Sequence, residues 1–463
     1  MLIAIFAEGN KMKRLITQDL LKWKASDRRK PLVLRGARQV GKTYIVKDFG
    51  ENYYDSCAYF NFDQDTRLTS LFAETKDPQR LIEQLSLVSG QKIEPGKTLI
   101  FFDEIQECEA ALNTLKYFKE FMPEHHVIAA GSLLGIKLSH SSFPVGMVNY
   151  LDLAPMNFAE FLMADGLENL AEYVLGVGAT AHAQAEKTPE TDAAEHVPLE
   201  KVPEIIATRL TEKLKTYFLI GGMPEVVQSW VTNKDINEVH QIQDEILRAY
   251  EDDFAKHTTA SEANKISLIW HSLPSQLARE NKKFVYQAIR DSARAREYES
   301  ALNWLRDANM VYKVPCVTAP KLPLSAYEDL TAFKIYLLDV GLLSYMSGID
   351  AQTILDGNDF FSEFKGALTE NYVLQEIAKG RQPSVFYYDF DRYSLDFIAQ
   401  HDGRIYPIEV KSAERASHVS ITKYIEKYQP ELGVRFSPNN LTHDGKILNI
   451  PLYLAGEWKR FLA

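Results

Sequence analysis

Gly36-Ala37-Arg38-Gln39-Val40-Gly41-Lys42-Thr43 sets two glycines, a lysine and a hydroxyl in the order G-x-x-x-x-G-K-[ST]. Each of these types has a task if a phosphate chain lies across the loop. The glycines let consecutive backbone N–H groups curl toward phosphate oxygens at a helix N-terminus, where the dipole favours anions. Lys42 can reach the β and γ phosphates of ATP, and Thr43 can ligate Mg2+. A glycine-bearing turn between a strand and a helix is the bland alternative, so a second signal has to decide. Thr98 to Phe102 is an apolar run that ends in Asp103 and Glu104. Asp103 suits a metal held through water, and Glu104 suits the orientation or activation of an attacking water. Val127 to Ala130 leads into Gly131-Ser132, a small hydroxyl placed to sense a γ phosphate, although a plain turn gives the same letters.

A second set of chemically able residues lies near the C-terminus. Asp396 stands in the run Ser394-Leu395-Asp396-Phe397-Ile398, and Glu409 and Lys411 stand in Pro407-Ile408-Glu409-Val410-Lys411. Period-2 alternation puts Glu409 and Lys411 on one face of a strand. Two carboxylates for a divalent ion and a lysine to steady a water form a D…E-x-K nuclease pattern, with Glu370 on the preceding helix as a fourth member. The tripeptide is common: it recurs at Glu74–Lys76 and Glu363–Lys365.

The elements that must position these residues follow from the apolar pattern. Leu32 to Leu34, Ala58 to Phe62, Thr98 to Phe102, Val127 to Ala130 and Tyr150 to Leu153 read as buried strands separated by helix-length segments. They predict an α/β fold with a parallel sheet over residues 12–165. Asn157 with Glu160 three residues later predicts a capped helix start. A helical region over 166–275 follows, with an Ala-, Thr-, Glu- and Pro-rich loop at 176–200 and a helix break at Gly221-Gly222-Met223-Pro224. Residues 281–313 read as the helices of a helix-turn-helix, and Val311 to Ala319 and Phe333 to Leu338 as the strands of a wing. That assigns 276–350 to a winged-helix-like domain and 351–463 to a small α/β domain.

Composition narrows the classes. The chain of 463 residues has a net charge of −11, which does not suit a protein that coats a polyanion along its whole surface. Lys282 to Lys313 is locally basic, with Lys282, Lys283, Arg290, Arg294, Arg296, Arg306 and Lys313 against Asp291, Glu297, Glu299 and Asp307. That stretch could face DNA or simply be solvated. Residues 351–463 hold 13 basic and 15 acidic side chains, so no broad basic platform is expected there. Cys57, Cys108 and Cys316 are far apart and fit a reducing cytoplasm. No stretch approaches the ~18 apolar residues of a membrane span. Met12, just before the recognisable pattern, is expected as the start, with residues 1–11 an extension ahead of it.

GARQVGKT, FFDEIQ (101–106), AAGS (129–132), PMNFAEF (155–161) and YFLIGGMPEV (217–226) together resemble the prokaryotic AAA-type (AAA+) P-loop ATPases that carry a C-terminal domain of unknown function with a restriction-endonuclease-like fold. The resemblance covers nearly the whole chain from Met12. It implies ATP binding with Mg2+ through Gly36 to Thr43 and Asp103, and catalysis by Lys42, Glu104 and Ser132. Relatives often place a basic residue where Met147 stands, and Arg35 and Arg38 could serve as an arginine finger or form surface ion pairs. Two functions stay open: an ATP-hydrolysing enzyme that acts on or with DNA, and a nucleotide-dependent switch that recruits a protein partner with little turnover while its nuclease-like domain is inactive. Self-association into a homo-oligomer is open under either.

Overall fold

The computed structural model describes residues 12–132, 146–177, 200–279, 282–291, 293–349, 362–382, 384–413 and 419–462. The expected extension 1–11, nearly all of the loop at 176–200, and the residues just before Gly146 lie outside the described residues. The chain divides into two compact units, one of Arg14–Pro155 with Asn303–Met310, the other built mainly of Met156–Leu302 and Val311–Ala463.

In the first unit all five apolar runs form strands: β1 (Leu32–Arg35), β2 (Ser56–Asn61), β3 (Thr98–Asp103), β4 (His126–Gly131) and β5 (Asn149–Asp152). They pair in parallel in the order β2-β3-β4-β1-β5. β3 and β4 are buried along their whole length, which is why they read as continuous apolar runs rather than alternating ones. On one face Phe102 meets Phe72 edge to face at 5.5 Å and Phe118 at 6.2 Å between ring centroids, within a core that also holds Phe60, Phe62, Leu81, Leu85 and Leu115. β1 lies between β4 and β5, so the chain leaves its C-terminal end at the place where the strand order turns back. In open α/β sheets a crevice for ligands forms at that point.

The second unit joins helices to one mixed sheet. The expected capping box forms: Asn157 Oδ1 accepts from Glu160 N at 2.8 Å and Glu160 Oε2 from Asn157 N at 3.0 Å, starting the helix Phe158–Ala164. The buried Glu376, on the helix Ser362–Ala378, adds an acceptor 2.9 Å from Phe158 N. The break at Gly221-Gly222 separates the helices Glu204–Ile220 and Pro224–Asn233. Here Gly222 N donates to Asp339 Oδ2 at 2.7 Å, and Met156 N donates to Gly222 O at 2.6 Å. A Cβ on Gly222 would lie 1.9 Å from Met156 O, so the contact admits glycine alone.

The stretch expected to form a helix-turn-helix differs. Among its described residues it contains the 3-10 turn Tyr286–Ala288 and one helix, Ala295–Asp307. The two wing strands do pair antiparallel, as β6 (Val311–Val317) and β7 (Glu328–Leu337). They do not stand alone, because a two-stranded hairpin is marginal without a further partner. β6 also meets β8 (Val385–Phe390) in parallel at Cys316↔Tyr387. Beyond β8 follow β9 (Tyr393–His401), β10 (Arg404–Val410), β11 (Gly433–Ser437), β12 (Thr442–Asp444) and β13 (Ile447–Pro451), making one sheet in the order β12-β13-β11-β10-β9-β8-β6-β7. The division expected near residue 350 therefore falls within the span of a single sheet.

Candidate nucleotide site and a charged C-terminal cluster

β1 delivers the chain into the loop Gly36–Gly41, and the helix Lys42–Tyr53 begins at once after it. Gly41 has φ 94°, and Gln39 also lies in the left-handed region with φ 64°, so the loop curls tightly. Gly36 packs directly on the segment after β5: a Cβ there would sit 2.3 Å from Leu153 O. Lys42 is buried, and its Nζ donates to Gly36 O at 3.0 Å and Ala37 O at 2.8 Å. Thr43 Oγ1 donates to Asp103 Oδ2 at 2.8 Å, which joins the helix start to the end of β3. Tyr59, one strand further out on β2, donates to the same oxygen at 3.1 Å.

Glu104 directly follows β3 with φ 49°, a strained conformation for a residue with a side chain. It accepts a hydrogen bond from Gln106 Nε2. Ser132 follows β4, the strand between β1 and β3. It is buried, and its Oγ has no hydrogen-bond partner among the described residues. A buried hydroxyl without a partner costs about 1–3 kcal/mol, which a ligand oxygen would recover. Arg35 is committed elsewhere: its guanidinium forms a two-point ion pair with Asp152, Nε to Oδ1 at 2.9 Å and Nη2 to Oδ2 at 3.1 Å, and lies over the Tyr150 ring at 4.8 Å. Of the two alternatives open for Arg35, this is the ion pair. Arg38 is partly buried within the loop.

A glycine-lined loop at a helix start, an ammonium, a hydroxyl–carboxylate pair and a second carboxylate thus gather around the C-terminal ends of β1, β3 and β4. Residues 28–162 match the family model of the AAA domain. The fold of this unit is that of the P-loop NTPases, with an AAA-type domain over those residues. Residues 211–353 match a domain of unknown function (DUF8612), and residues 365–453 match another (DUF4143). No curated protein matches the chain. Among solved structures, a Walker-type ATPase of Pyrococcus abyssi is similar at 13% identity, over 73% of this chain and 96% of that one, with a TM-score of 0.41. The Drosophila ORC bound to DNA is similar at 14% identity, over 72% and 94%, with a TM-score of 0.24. PCH-2 of C. elegans is similar at 12% identity, over 52% and 66%, with a TM-score of 0.22. At TM-scores under 0.5, none of these three likenesses bears on the function of this chain.

The C-terminal residues are brought close, but in company that the sequence does not announce. Asp396 on β9 accepts from Val410 N at 2.8 Å through Oδ2. Glu409, at the end of β10, is buried. Its Oε1 pairs with Lys411 Nζ at 3.0 Å, and its Oε2 has no hydrogen-bond partner among the described residues. Glu370 is buried too, hydrogen-bonded by Lys282 and, at 3.2 Å, by Tyr336 OH. Burial lifts the Glu370 carboxyl above its usual range, aided by Asp396 and opposed by Lys282 and Lys334. Burial also pushes Glu409 up to about 7, against the pull of Lys411 and with Asp396 adding to the rise. Burial alone would lower the Lys282 ammonium, yet Glu370 and Asp396 hold it above its ordinary value. Three lysines thus balance three acids. Among the described residues no three His, Cys, Asp or Glu side chains converge as a metal-binding group. Lys411 and Lys282 pair with Glu409 and Glu370, two of the acids on which the sequence suggests a divalent ion.

Proposed function

We propose that this protein binds MgATP through Gly36 to Thr43 and Asp103 and hydrolyses it with Glu104. What supports the reading most is the 2.8 Å bond from Thr43 to Asp103, because it joins two sequence-distant motifs at the point where the metal of a nucleotide complex would sit. Thr43 and Asp103 would hold Mg2+, which would supply positive charge to offset that of the phosphates. Lys42 would exchange its two carbonyl contacts for β- and γ-phosphate oxygens. Glu104, held by Gln106, would orient the attacking water and take its proton. Ser132 Oγ would donate to the γ phosphate. Arg35, tied to Asp152, is not the arginine finger. Nucleotide at a hundred times its Kd should stabilise the fold by about 2.7 kcal/mol. Equal thermal shifts of wild type and Lys42→Ala in MgATP would move the site elsewhere.

Recruitment of a partner, rather than cleavage of nucleic acid, is the reading favoured for the second unit. The charge-balanced cluster of Lys282, Lys334, Lys411, Glu370, Asp396 and Glu409 is what supports it over cleavage by a metal-dependent nuclease-like domain. Lys282 is withdrawn into that cluster, whereas Arg290, Arg294 and Arg296 remain exposed for DNA or a protein partner. ATPase rates with and without DNA, across protein concentration, separate action on DNA from partner recruitment and detect a homo-oligomer. Among the described residues no helix is long and apolar enough to cross a membrane, and we place the protein in the cytoplasm.

A further inference from the structure

Arg14 precedes every motif read in the sequence, yet it is buried against the phosphate loop. Its Nη1 donates to Val40 O at 2.9 Å and its Nη2 to Ala154 O at 2.7 Å. A planar guanidinium can hold two carbonyls in fixed directions at once, which a single ammonium cannot.

In a trans peptide the C=O and the following N–H point in opposite directions. Holding Val40 C=O toward Arg14 therefore aims Gly41 N–H the opposite way, out of the protein side of the loop. Gly41 N–H belongs to the first turn of the helix, where N–H groups lack intrahelical partners and are available to an anion. The φ of 94° at Gly41 leaves this peptide with conformations that a less constrained loop would sample.

The second contact extends the reach of the first. Ala154 follows Leu153, whose N donates to Arg35 O at 2.8 Å and whose O underlies Gly36. The start of the loop thus rests on Leu153 directly, and its end is strapped to Ala154 through Arg14. Both ends of the cradle are referred to one two-residue segment after β5.

We propose that Arg14 is a positioning residue for the phosphate loop, setting the direction of Gly41 N–H toward the phosphates of a nucleoside di- or triphosphate. The inference rests on the reading of Gly36 to Thr43 as the MgATP site. Loss of the strap weakens MgATP and MgADP together, since Gly41 N–H addresses the phosphate chain rather than the γ group alone.

The test is isothermal titration of MgATP and MgADP into wild type, Arg14→Met, Arg14→Lys and Lys42→Ala, at a temperature where circular dichroism shows each folded. Arg14→Met is expected to bind both nucleotides about tenfold more weakly, as for the loss of one oriented hydrogen bond to a charged group. Arg14→Lys, which can still reach one carbonyl, is expected between the two. Millimolar guanidinium ion is expected to restore part of the affinity to Arg14→Met but none to Lys42→Ala, a readout that a general loss of stability does not produce. Wild-type affinity in Arg14→Met overturns the proposal. If that variant does not fold, unchanged affinity in Arg14→Lys overturns it equally. Failure of wild type itself to bind MgATP removes the site reading, an outcome distinct from binding by wild type and the Arg14 variants alike.

Discussion

Replacing Glu376 by Gln should change how stability depends on pH, and by an amount that the site itself sets. Glu376 is fully enclosed, and burial pushes its carboxyl from 4.5 up to about 7, a rise that the hydrogen bond from Phe158 N and the charge of Lys379 only partly oppose. Between those values the folded chain holds a proton that the unfolded chain releases. Stability contributed by the protonated group is therefore present below 4.5 and is lost as pH rises through about 7. At about 1.4 kcal/mol per pH unit, the full window is worth about 3 kcal/mol, and most of it falls between pH 5 and pH 8. Gln keeps an acceptor for Phe158 N and has no proton to lose. Whatever constant offset the amide introduces, wild type should lose about 2–3 kcal/mol relative to Glu376→Gln over that interval. Urea unfolding followed by tryptophan fluorescence at pH 5, 6, 7 and 8 measures it. Parallel pH profiles for the two proteins would refute the assignment of a buried, proton-binding carboxyl at this position.

Glu104→Gln should bind MgATP as wild type does while releasing phosphate about 100-fold more slowly or worse, because an amide cannot take the proton of the attacking water; similar release rates move the base elsewhere. Gly222→Ala should destabilise the second unit by more than about 3 kcal/mol, since a methyl group 1.9 Å from Met156 O can be relieved only by moving backbone. A urea midpoint close to wild type would mean that the glycine break yields more easily than its contacts imply. Lys282→Met should cost about 3–5 kcal/mol by leaving a buried carboxylate without its cation, and adding Glu370→Gln should recover most of it. Additive losses in the double variant would show that the two side chains do not act as a pair.

Part of the fold and of the site is legible from residue order and part is not, for reasons that differ by residue. The five strands of the first unit can be read because parallel strands buried on both faces leave unbroken apolar runs; β3 and β4 are the clearest. Gly36, Gly41, Lys42 and Thr43 can be read because a phosphate loop is a local object with fixed spacing. Tyr59 cannot, since its reach to Asp103 depends on β2 lying next to β3, a fact of sheet order rather than of sequence. Gln106 sits inside the FFDEIQ run, but its contact with Glu104 arises only from the tight turn at 105–107. Arg14 leaves no signal because its partners are backbone carbonyls, which every residue has. Lys282 misleads: counted among neighbouring cations it suggests a solvated or DNA-facing stretch, and only the packed fold turns it toward Glu370. Strands at Val311–Val317 and around Phe333–Leu337 can be read from their apolar pattern, but a parallel bridge from Cys316 to Tyr387 has no local signature at all.

That bridge bears on how the chain is made. Cys316 and Tyr387 are 71 positions apart (387 − 316), so during synthesis at ~5–20 residues per second one side of β6 leaves the ribosome on the order of 4–14 seconds before its neighbour exists. For that interval the β6–β7 hairpin offers an open row of amide and carbonyl groups to any passing strand. A gene cut between the two would produce two pieces with complementary raw edges in place of two free-standing modules, and co-expression of the halves would be expected to recover what neither yields alone.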